Sequence, residues 1–206
     1  MTGLLIARHG NTFDKGDVLL RVGKRTDIPL SVSGKEQALK LGKFFLHEGL
    51  EIDEVFSSNL KRTKDTAKIA LENMGRSDIG VMPMDIFDEI DYGFDEGKPE
   101  DEVVARIGRD AITKWDKHAI APEGWIVDID KIKDNWKEFA NSIKDSNKNI
   151  LVVTSNGIAR FAPYILNNPD EFMSSNNIKL STGAVSCFLY KNGNWEVEYW
   201  NKKPAF

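Results

Sequence analysis

Residues 150–160 read ILVVTSNGIAR. An apolar run stops at Thr154, a short polar turn of Ser155, Asn156 and Gly157 follows, and the pattern then becomes compatible with a helix. A buried strand that ends in a polar turn before a helix is the repeating unit of sheets whose strands run parallel. The stretch therefore predicts a central strand of an α/β fold.

The same alternation of strands and helices continues along the chain before this stretch. Short apolar runs predict further strands at 3–7, 54–58 and 79–84. Apolar residues at helical spacing predict helices over 33–48, 59–75 and 128–145. The sequence SGKE at 33–36 has the form of a capping box, so the first helix is expected to begin near Ser33.

Two more strands are predicted towards the end of the sequence. The segments GAVSCFLY (183–190) and WEVEYW (195–200) flank KNGN, whose Asn-Gly pair is typical of a tight hairpin. The chain is therefore expected to be an α/β three-layer sandwich, with a mostly parallel central sheet, helices on both faces and antiparallel C-terminal strands. We expect residues 1–206 to form one domain. The polar residues 91–124 are expected to form a small cap-like excursion with short helical pieces.

Composition and charge argue against several classes of protein. No apolar run approaches the ~20 residues of a membrane-spanning helix, and a net charge of −4 does not favour a nucleic-acid binder. The N-terminal apolar stretch is short and is broken by Arg8, so we expect no secretory signal and a cytoplasmic location. The single cysteine, Cys187, cannot form an internal disulfide and is expected to lie in the core.

Polar segments follow the predicted strands, at the edge where parallel sheets bind ligands. They bring to one edge the side chains of Arg8, His9, Ser57, Arg62, Glu89 and Ser155. Arginine matches phosphate oxygens with paired donors, histidine can attack phosphorus, and a carboxylic acid can protonate the leaving oxygen. The edge therefore suits phosphoryl transfer. From the residues alone, His9 could equally be a structural hydrogen bonder. Other carboxylates rank with Glu89 as the acid, namely Asp88, Asp91 and Glu96.

Four motifs support the interpretation as a phosphoryl-transfer site: LIARHGNT (5–12), TDIPLSVSGKEQA (26–38), FSSNLKRTKDTA (56–67) and FDEIDYGFDEG (87–97). In order and spacing they resemble the histidine phosphatase superfamily, in the branch that includes phosphoglycerate mutases and similar small phosphatases. The resemblance implies that His9 is the phosphorylated nucleophile and that Glu89 is the proton donor. It also implies that Arg8 and Arg62 clamp the phosphoryl oxygens.

Two positions depart from the family's pattern. Lys15 stands where the mutases usually carry a phosphate-binding asparagine. Ser155 stands where a second active-site histidine is usual, and either its hydroxyl or the Asn156 amide is expected to donate to the phosphate instead. Of the other two histidines, His47 is a poor substitute on a helix surface, whereas His118 lies in the excursion and could reach over the site.

One function is favoured and two alternatives stay open. We expect a phosphomonoester phosphatase acting through a phosphohistidine at His9, slowed because loss of one preorganised donor typically costs ~10²- to 10³-fold in rate. The alternatives are a catalytically impaired protein that binds a phosphorylated ligand and, ranked lower, a phosphoglycerate mutase. The ligand is expected to be a small phosphomonoester or inorganic phosphate, with no metal, cofactor, nucleic acid or membrane involved. Its expected contacts are Arg8, Asn11, Lys15, Arg62, Ser155 and Asn156.

The excursion is expected to choose the substrate. Its acidic segment YGFDEGKPEDE (92–102) would disfavour highly phosphorylated substrates and tolerate neutral or cationic leaving groups. Trp115 and Trp125 are candidates to line a pocket for an aromatic or sugar group, although aromatic residues at this density also suit a core.

Overall fold

A six-stranded sheet lies at the centre of the computed structural model, which describes residues 1–205. The strands are β1 (Thr2–Arg8), β2 (Glu54–Ser57), β3 (Val81–Pro83), β4 (Asn149–Thr154), β5 (Val185–Lys191) and β6 (Asn194–Lys202). The α-helices are α1 (Val32–His47), α2 (Lys61–Asn73), α3 (Glu100–His118), α4 (Ile129–Ile143), α5 (Asn156–Ala159) and α6 (Pro169–Ser175). Short 3-10 turns occupy Asp85–Phe87, Gly93–Asp95 and Ala162–Ile165. The domain expected over 1–206 ends at Phe206, which lies outside the described residues.

The strands follow the order β3-β2-β4-β1-β5-β6 across the sheet. The first four of these run parallel, whereas β5 is antiparallel to both β1 and β6. The predicted α/β fold, with its mostly parallel sheet and antiparallel C-terminal strands, is thus confirmed. In the central pair, Arg8 of β1 lies beside Thr154 of β4. The polar segments that follow these two strands therefore leave the sheet side by side.

Each face of the sheet packs against its own helices. Leu5 and Leu151 join α1 and α2 in one hydrophobic cluster, which also buries Cys187 as predicted. Ile6 and Val152, the next residue of each strand, join α4 in a second cluster on the opposite face. Because alternate residues of β1 and β4 are buried on opposite faces, these strands are apolar throughout rather than alternating.

The start of α1 differs from the predicted capping box at 33–36. The helix begins at Val32, and its N-cap is Ser31, whose side chain accepts a hydrogen bond from the Gly34 N–H. The carboxylate of Asp14 accepts bonds of 3.1 Å from the backbone N–H groups of both Val32 and Ser33. The capping box at 33–36 was wrong because the helix begins earlier, with Ser31 as its N-cap. The Ser33 N–H that Glu36 was expected to satisfy is instead bound by Asp14 from the preceding loop.

The excursion contains two short helical pieces, as predicted. Together they form α3, which begins directly after Pro99 and is broken at Gly108. The φ of Gly108, 81°, lies in the region that favours glycine. Within residues 1–205, no helix combines the length and the apolar character needed to cross a membrane.

Replacing Thr154 with valine should destabilise the fold while keeping the shape of the side chain. The buried Thr154 hydroxyl donates a 2.7 Å hydrogen bond to the carbonyl oxygen of Phe87, which joins β4 to the segment before Glu89. A buried acceptor that loses its partner costs about 1–3 kcal/mol, so the free energy of unfolding in urea should fall by that amount. Thr113→Val, at an exposed position of α3, is the control and should change it by less than about 0.5 kcal/mol. Equal effects at the two positions would contradict this role for Thr154.

Candidate active site

His9 follows β1 directly, and its backbone N–H donates a 3.0 Å hydrogen bond to the Thr154 carbonyl. The ring nitrogen Nδ1 lies 2.7 Å from the carbonyl oxygen of Gly10. Because a carbonyl only accepts, Nδ1 carries the proton and the lone pair resides on Nε2. Gly10 has no room for a side chain, since a Cβ there would lie 2.3 Å from the carbonyl oxygen of Gly34 in α1. The first turn of α1 thus packs directly on the segment that carries the imidazole.

The surroundings of His9 keep its imidazole neutral. Burial lowers the pKa of His9 well below its ordinary value, and the positive charges of Arg62 and Arg8 lower it further. At neutral pH the Nε2 lone pair is therefore free of a proton. A neutral imidazole with a fixed tautomer is the form that can act as a nucleophile.

Backbone carbonyls, rather than carboxylates, hold the two arginines near His9. Arg8 Nη1 donates a 2.7 Å hydrogen bond to the Leu180 carbonyl. Arg62, which is completely buried, donates bonds of 2.8 Å and 3.2 Å to the carbonyls of Thr26 and Gly23. Neither guanidinium belongs to an ion pair among residues 1–205. Two positive charges without a paired carboxylate, one buried and one partly exposed, make this region suited to an anion.

Glu89 is the carboxyl group buried beside them. Its oxygens accept hydrogen bonds from the backbone N–H groups of Ile90, at 2.9 Å, and of Gly157, at 3.4 Å. Burial raises the pKa of Glu89 despite the opposing charges of Arg62 and Arg8. A Cβ at position 157 would lie 2.0 Å from Glu89 Oε1, so only glycine lets the turn approach the carboxyl group. Burial thus favours the protonated form of Glu89, which is the form that can donate a proton.

The turn after β4 separates its two predicted phosphate ligands. Ser155 is completely buried, and its hydroxyl has no hydrogen-bond partner. Asn156 lines the cavity next to His9, and its Oδ1 accepts a 2.8 Å hydrogen bond from the Leu180 N–H. That bond fixes the amide orientation and leaves the Nδ2 donor for a ligand.

A cavity of about 380 Å³ lies beyond the ends of β1 and β4. Of the predicted site residues, its wall includes Arg8, His9, Asn11, Glu89 and Asn156. Three other predicted site residues lie outside the wall. Lys15 is exposed to solvent, and Arg62 and Ser155 are fully buried. The exposed imidazoles of His47 and His118 do not line the cavity either.

Several other residues of the wall were not among the predicted catalytic and phosphate-binding residues. They are Arg21, Tyr92, Glu100, Asp116, Lys179 and Thr182. None directly follows a predicted strand, which was the signal used to find the others. Trp115, one of the two tryptophans predicted as candidates to line a pocket, lines the cavity. The other, Trp125, does not line it and is buried, with its ring centroid 5.5 Å from that of Trp115.

The acidic segment of the excursion presents one carboxylate to the cavity, that of Glu100, which pairs with Arg21. Asp95 is buried, forms an ion pair with Arg106 and accepts a 2.8 Å hydrogen bond from Trp125 Nε1. Asp91 pairs with Arg25 at 2.9 Å. The Asp91 pair thus fastens the excursion to the loop before α1, whereas the Asp95 pair is internal to the excursion.

The change His9→Asn should make the protein less sensitive to acid. The unfolded chain protonates His9 below its ordinary pKa of 6.5, whereas the lowered pKa keeps the folded His9 neutral. The unfolded state therefore binds more protons below pH 6.5, and wild-type stability is lost as the pH falls through that value. Between pH 7.5 and pH 5.5, the stability of the variant relative to wild type should rise by about 1 kcal/mol in chemical denaturation.

The matched control for this measurement is His118→Asn, at an exposed histidine. Its stability relative to wild type should be the same at the two pH values. If His9→Asn gave an equally flat comparison, the imidazole of His9 would not be held neutral by burial.

The sequence matches curated proteins over about half of the chain, whereas the fold matches solved structures over nearly all of it. The 2,3-bisphosphoglycerate-dependent phosphoglycerate mutase of Borreliella burgdorferi (strain ZS7) is 33% identical over 115 residues, 56% of this chain and 46% of that protein. The uncharacterized phosphatase PhoE of Bacillus subtilis (strain 168) is 35% identical over 106 residues, 52% of this chain and 51% of that protein. The chain thus spans about half the length of these curated relatives.

Solved structures match over nearly the whole chain. Bacillus stearothermophilus YhfR has a TM-score of 0.78 and 24% identity, with 98% of each chain covered. A mycobacterial glucosyl-3-phosphoglycerate phosphatase has a TM-score of 0.77 and 18% identity, with 98% of this chain and 99% of that chain covered. The sequence profile of the histidine phosphatase superfamily (branch 1) matches residues 4–203. With this match and the shared fold, the chain belongs to the histidine phosphatase superfamily.

Proposed function

We propose that this protein is a phosphomonoester phosphatase that works through a phosphohistidine at His9. The observation that carries the proposal is the neutral imidazole of His9, with Nδ1 bound to the Gly10 carbonyl and Nε2 available. Around it lie the guanidinium groups of Arg8 and Arg62, which no carboxylate pairs with among the described residues, and the carboxyl group of Glu89, whose pKa burial raises. Nucleophile, anion clamp and acid are the three parts that the reaction needs.

In the first step, Nε2 of His9 attacks the phosphorus atom. The bond between phosphorus and the ester oxygen breaks, and Glu89 delivers its proton to that oxygen as the alcohol leaves. In the second step, the Glu89 carboxylate takes a proton from water while the water oxygen attacks the phosphohistidine. The phosphorus–nitrogen bond breaks, orthophosphate leaves, and both residues return to their starting forms. Arg8, on the cavity wall, binds the phosphoryl oxygens in both steps, and the buried Arg62 adds positive charge without lining the cavity.

Asn156 is the better candidate to replace the second histidine. Its amide lines the cavity, and its Oδ1 bond to the Leu180 N–H supports an orientation in which Nδ2 donates to a phosphoryl oxygen. Ser155 has a fully buried hydroxyl outside the cavity wall. An amide supplies a hydrogen bond without a full charge, so the rate should lie below that of a site with two histidines.

A protein that only binds phosphorylated ligands is the alternative. Arg8 and Arg62 favour it as much as they favour catalysis, because arginines without a paired carboxylate attract an anion whether or not it reacts. The two functions differ in what Glu89 does, since binding needs no proton donor.

Brief incubation with radiolabelled 4-nitrophenyl phosphate should label the protein through a bond that is stable in alkali and labile in acid. His9→Ala should abolish the label, because no other residue is proposed as nucleophile. Glu89→Gln should accumulate label, because 4-nitrophenolate leaves without a proton whereas hydrolysis of the phosphohistidine loses its general base, a loss of ~10²- to 10⁴-fold. The label is measured after denaturation, and His118→Ala is the control.

Two outcomes would contradict the phosphatase proposal. Binding of phosphate without any label or turnover would indicate the binding protein. Transfer of the label to a phosphoglycerate in preference to water would indicate a mutase.

The change Asn156→Asp should lower kcat by at least ~10²-fold, because it removes the Nδ2 donor and keeps the acceptor of the Leu180 N–H. Ser155→Ala should have a much smaller effect, since the Ser155 hydroxyl contacts no polar partner. Both are measured with the same phosphomonoester at saturation. The reverse order of effects would make Ser155 the donor.

A further inference from the structure

Beyond the proposed phosphoryl-binding residues, the cavity wall combines apolar and aromatic side chains with charged ones. Leu19, Leu20 and Val22 contribute from the loop between β1 and α1, and Tyr92 and Trp115 contribute from the excursion. A group attached to a phosphate bound at His9 would meet aliphatic and aromatic surface here. Such a surface stabilises the apolar part of a ligand by removing it from water.

The charged residues in this part of the wall are neutralised in pairs. The guanidinium of Arg21 forms an ion pair with the carboxylate of Glu100, with side-chain exposures of 15% and 35%. Lys179 Nζ lies 2.8 Å from Asp116 Oδ2. All four residues line the cavity. Arg21 and Lys179, which could otherwise bind a second anionic group, are thus each already paired with a carboxylate.

The Arg21–Glu100 pair is held from several sides. The Arg21 guanidinium lies 5.2 Å and 5.1 Å from the ring centroids of Tyr92 and Trp125. The Glu100 N–H donates a 2.8 Å hydrogen bond to the Leu19 carbonyl, so the two chain segments that supply the pair are joined through their backbones. Freeing Arg21 for a ligand would therefore break a cation–π contact as well as an ion pair.

A buried arginine helps to position the Lys179–Asp116 pair. Arg160 is completely buried, lies 4.7 Å from the Trp115 ring centroid and donates a hydrogen bond to the Asp116 carbonyl. This contact fixes the end of α3, where Trp115 and Asp116 line the cavity. Asp116 is therefore positioned to keep Lys179 paired.

We infer that the site selects phosphomonoesters whose leaving group is uncharged and partly apolar, and that Glu100 and Asp116 exclude substrates with a second anionic group. This inference rests on the proposed phosphatase function. A carboxylate or second phosphate on the leaving group would face Glu100 and Asp116, or would have to displace them from Arg21 and Lys179. Both are unfavourable, and rejection by like charge is a common source of specificity.

The test compares phenyl phosphate with 4-carboxyphenyl phosphate, which differ by one anionic group. The wild-type kcat/KM should be at least ~10-fold higher for phenyl phosphate. The carboxylate does not make the phenol a poorer leaving group, so a slower reaction reports on binding in the cavity. Equal or higher kcat/KM for the carboxylated substrate would overturn the inference.

Glu100→Gln and Asp116→Asn should each reduce this preference, because each frees a cation in the cavity wall. We expect the ratio of the two kcat/KM values to fall by ~10-fold, through a gain on the carboxylated substrate. The matched control is Asp110→Asn, which removes the same charge and an ion pair with Lys114 on α3 but does not line the cavity. It should leave the ratio unchanged, and an equal change in all three variants would refute the role of the paired carboxylates.

A binding measurement separates this inference from the proposed catalysis. Phenylphosphonate and 4-carboxyphenylphosphonate cannot be hydrolysed, so their calorimetric affinities do not depend on His9 chemistry. Tighter binding of phenylphosphonate, reduced in Glu100→Gln and Asp116→Asn, would support the selection even if no substrate were turned over. No difference between the two phosphonates, or no binding of either, would overturn it.

Discussion

β1 and β4 pair in parallel at the centre of the sheet, with Arg8 beside Thr154 and the His9 N–H bound to the Thr154 carbonyl. This pairing brings the segment after β1, which carries His9, against the turn after β4, which carries Asn156. The Thr154 hydroxyl then holds the Phe87 carbonyl and so fixes the approach of Glu89 to the same edge. Three segments far apart in sequence thereby meet at one cavity.

Burial at this edge acts on the two titratable groups in complementary ways. It lowers the pKa of His9 and raises the pKa of Glu89, because the charged form of each is disfavoured away from water. Burial thus favours the neutral form of each group, which is the form that a nucleophile and an acid require. The arginines remain charged in the same surroundings, and backbone carbonyls accept hydrogen bonds from their Nη groups without cancelling their charge.

Several carboxylates of the excursion are paired with cations, whereas the two arginines near His9 are not paired with carboxylates in the described part of the chain. Asp91 holds the excursion to Arg25, Asp95 pairs with Arg106 inside it, and Glu100 and Asp116 neutralise cations in the cavity wall. The chain thus combines a cationic region around His9 with a charge-balanced, partly apolar surround. That division supports recognition of one phosphate and of an uncharged group attached to it.

The order of strands and helices could be read from the sequence, because apolar runs and helical spacing are local patterns. The motifs around His9, Arg62 and Glu89 also identified the family correctly, since their residues lie close together within each motif. Contacts between distant segments could not be read in this way. Arg21 and Glu100 are 79 residues apart, and Asp116 and Lys179 are 63 apart. Likewise, the turn after β4 had two candidate donors, of which Ser155 is completely buried and Asn156 lines the cavity with its Oδ1 bound to the distant Leu180 N–H. Tertiary packing makes that choice, and a local motif does not show it.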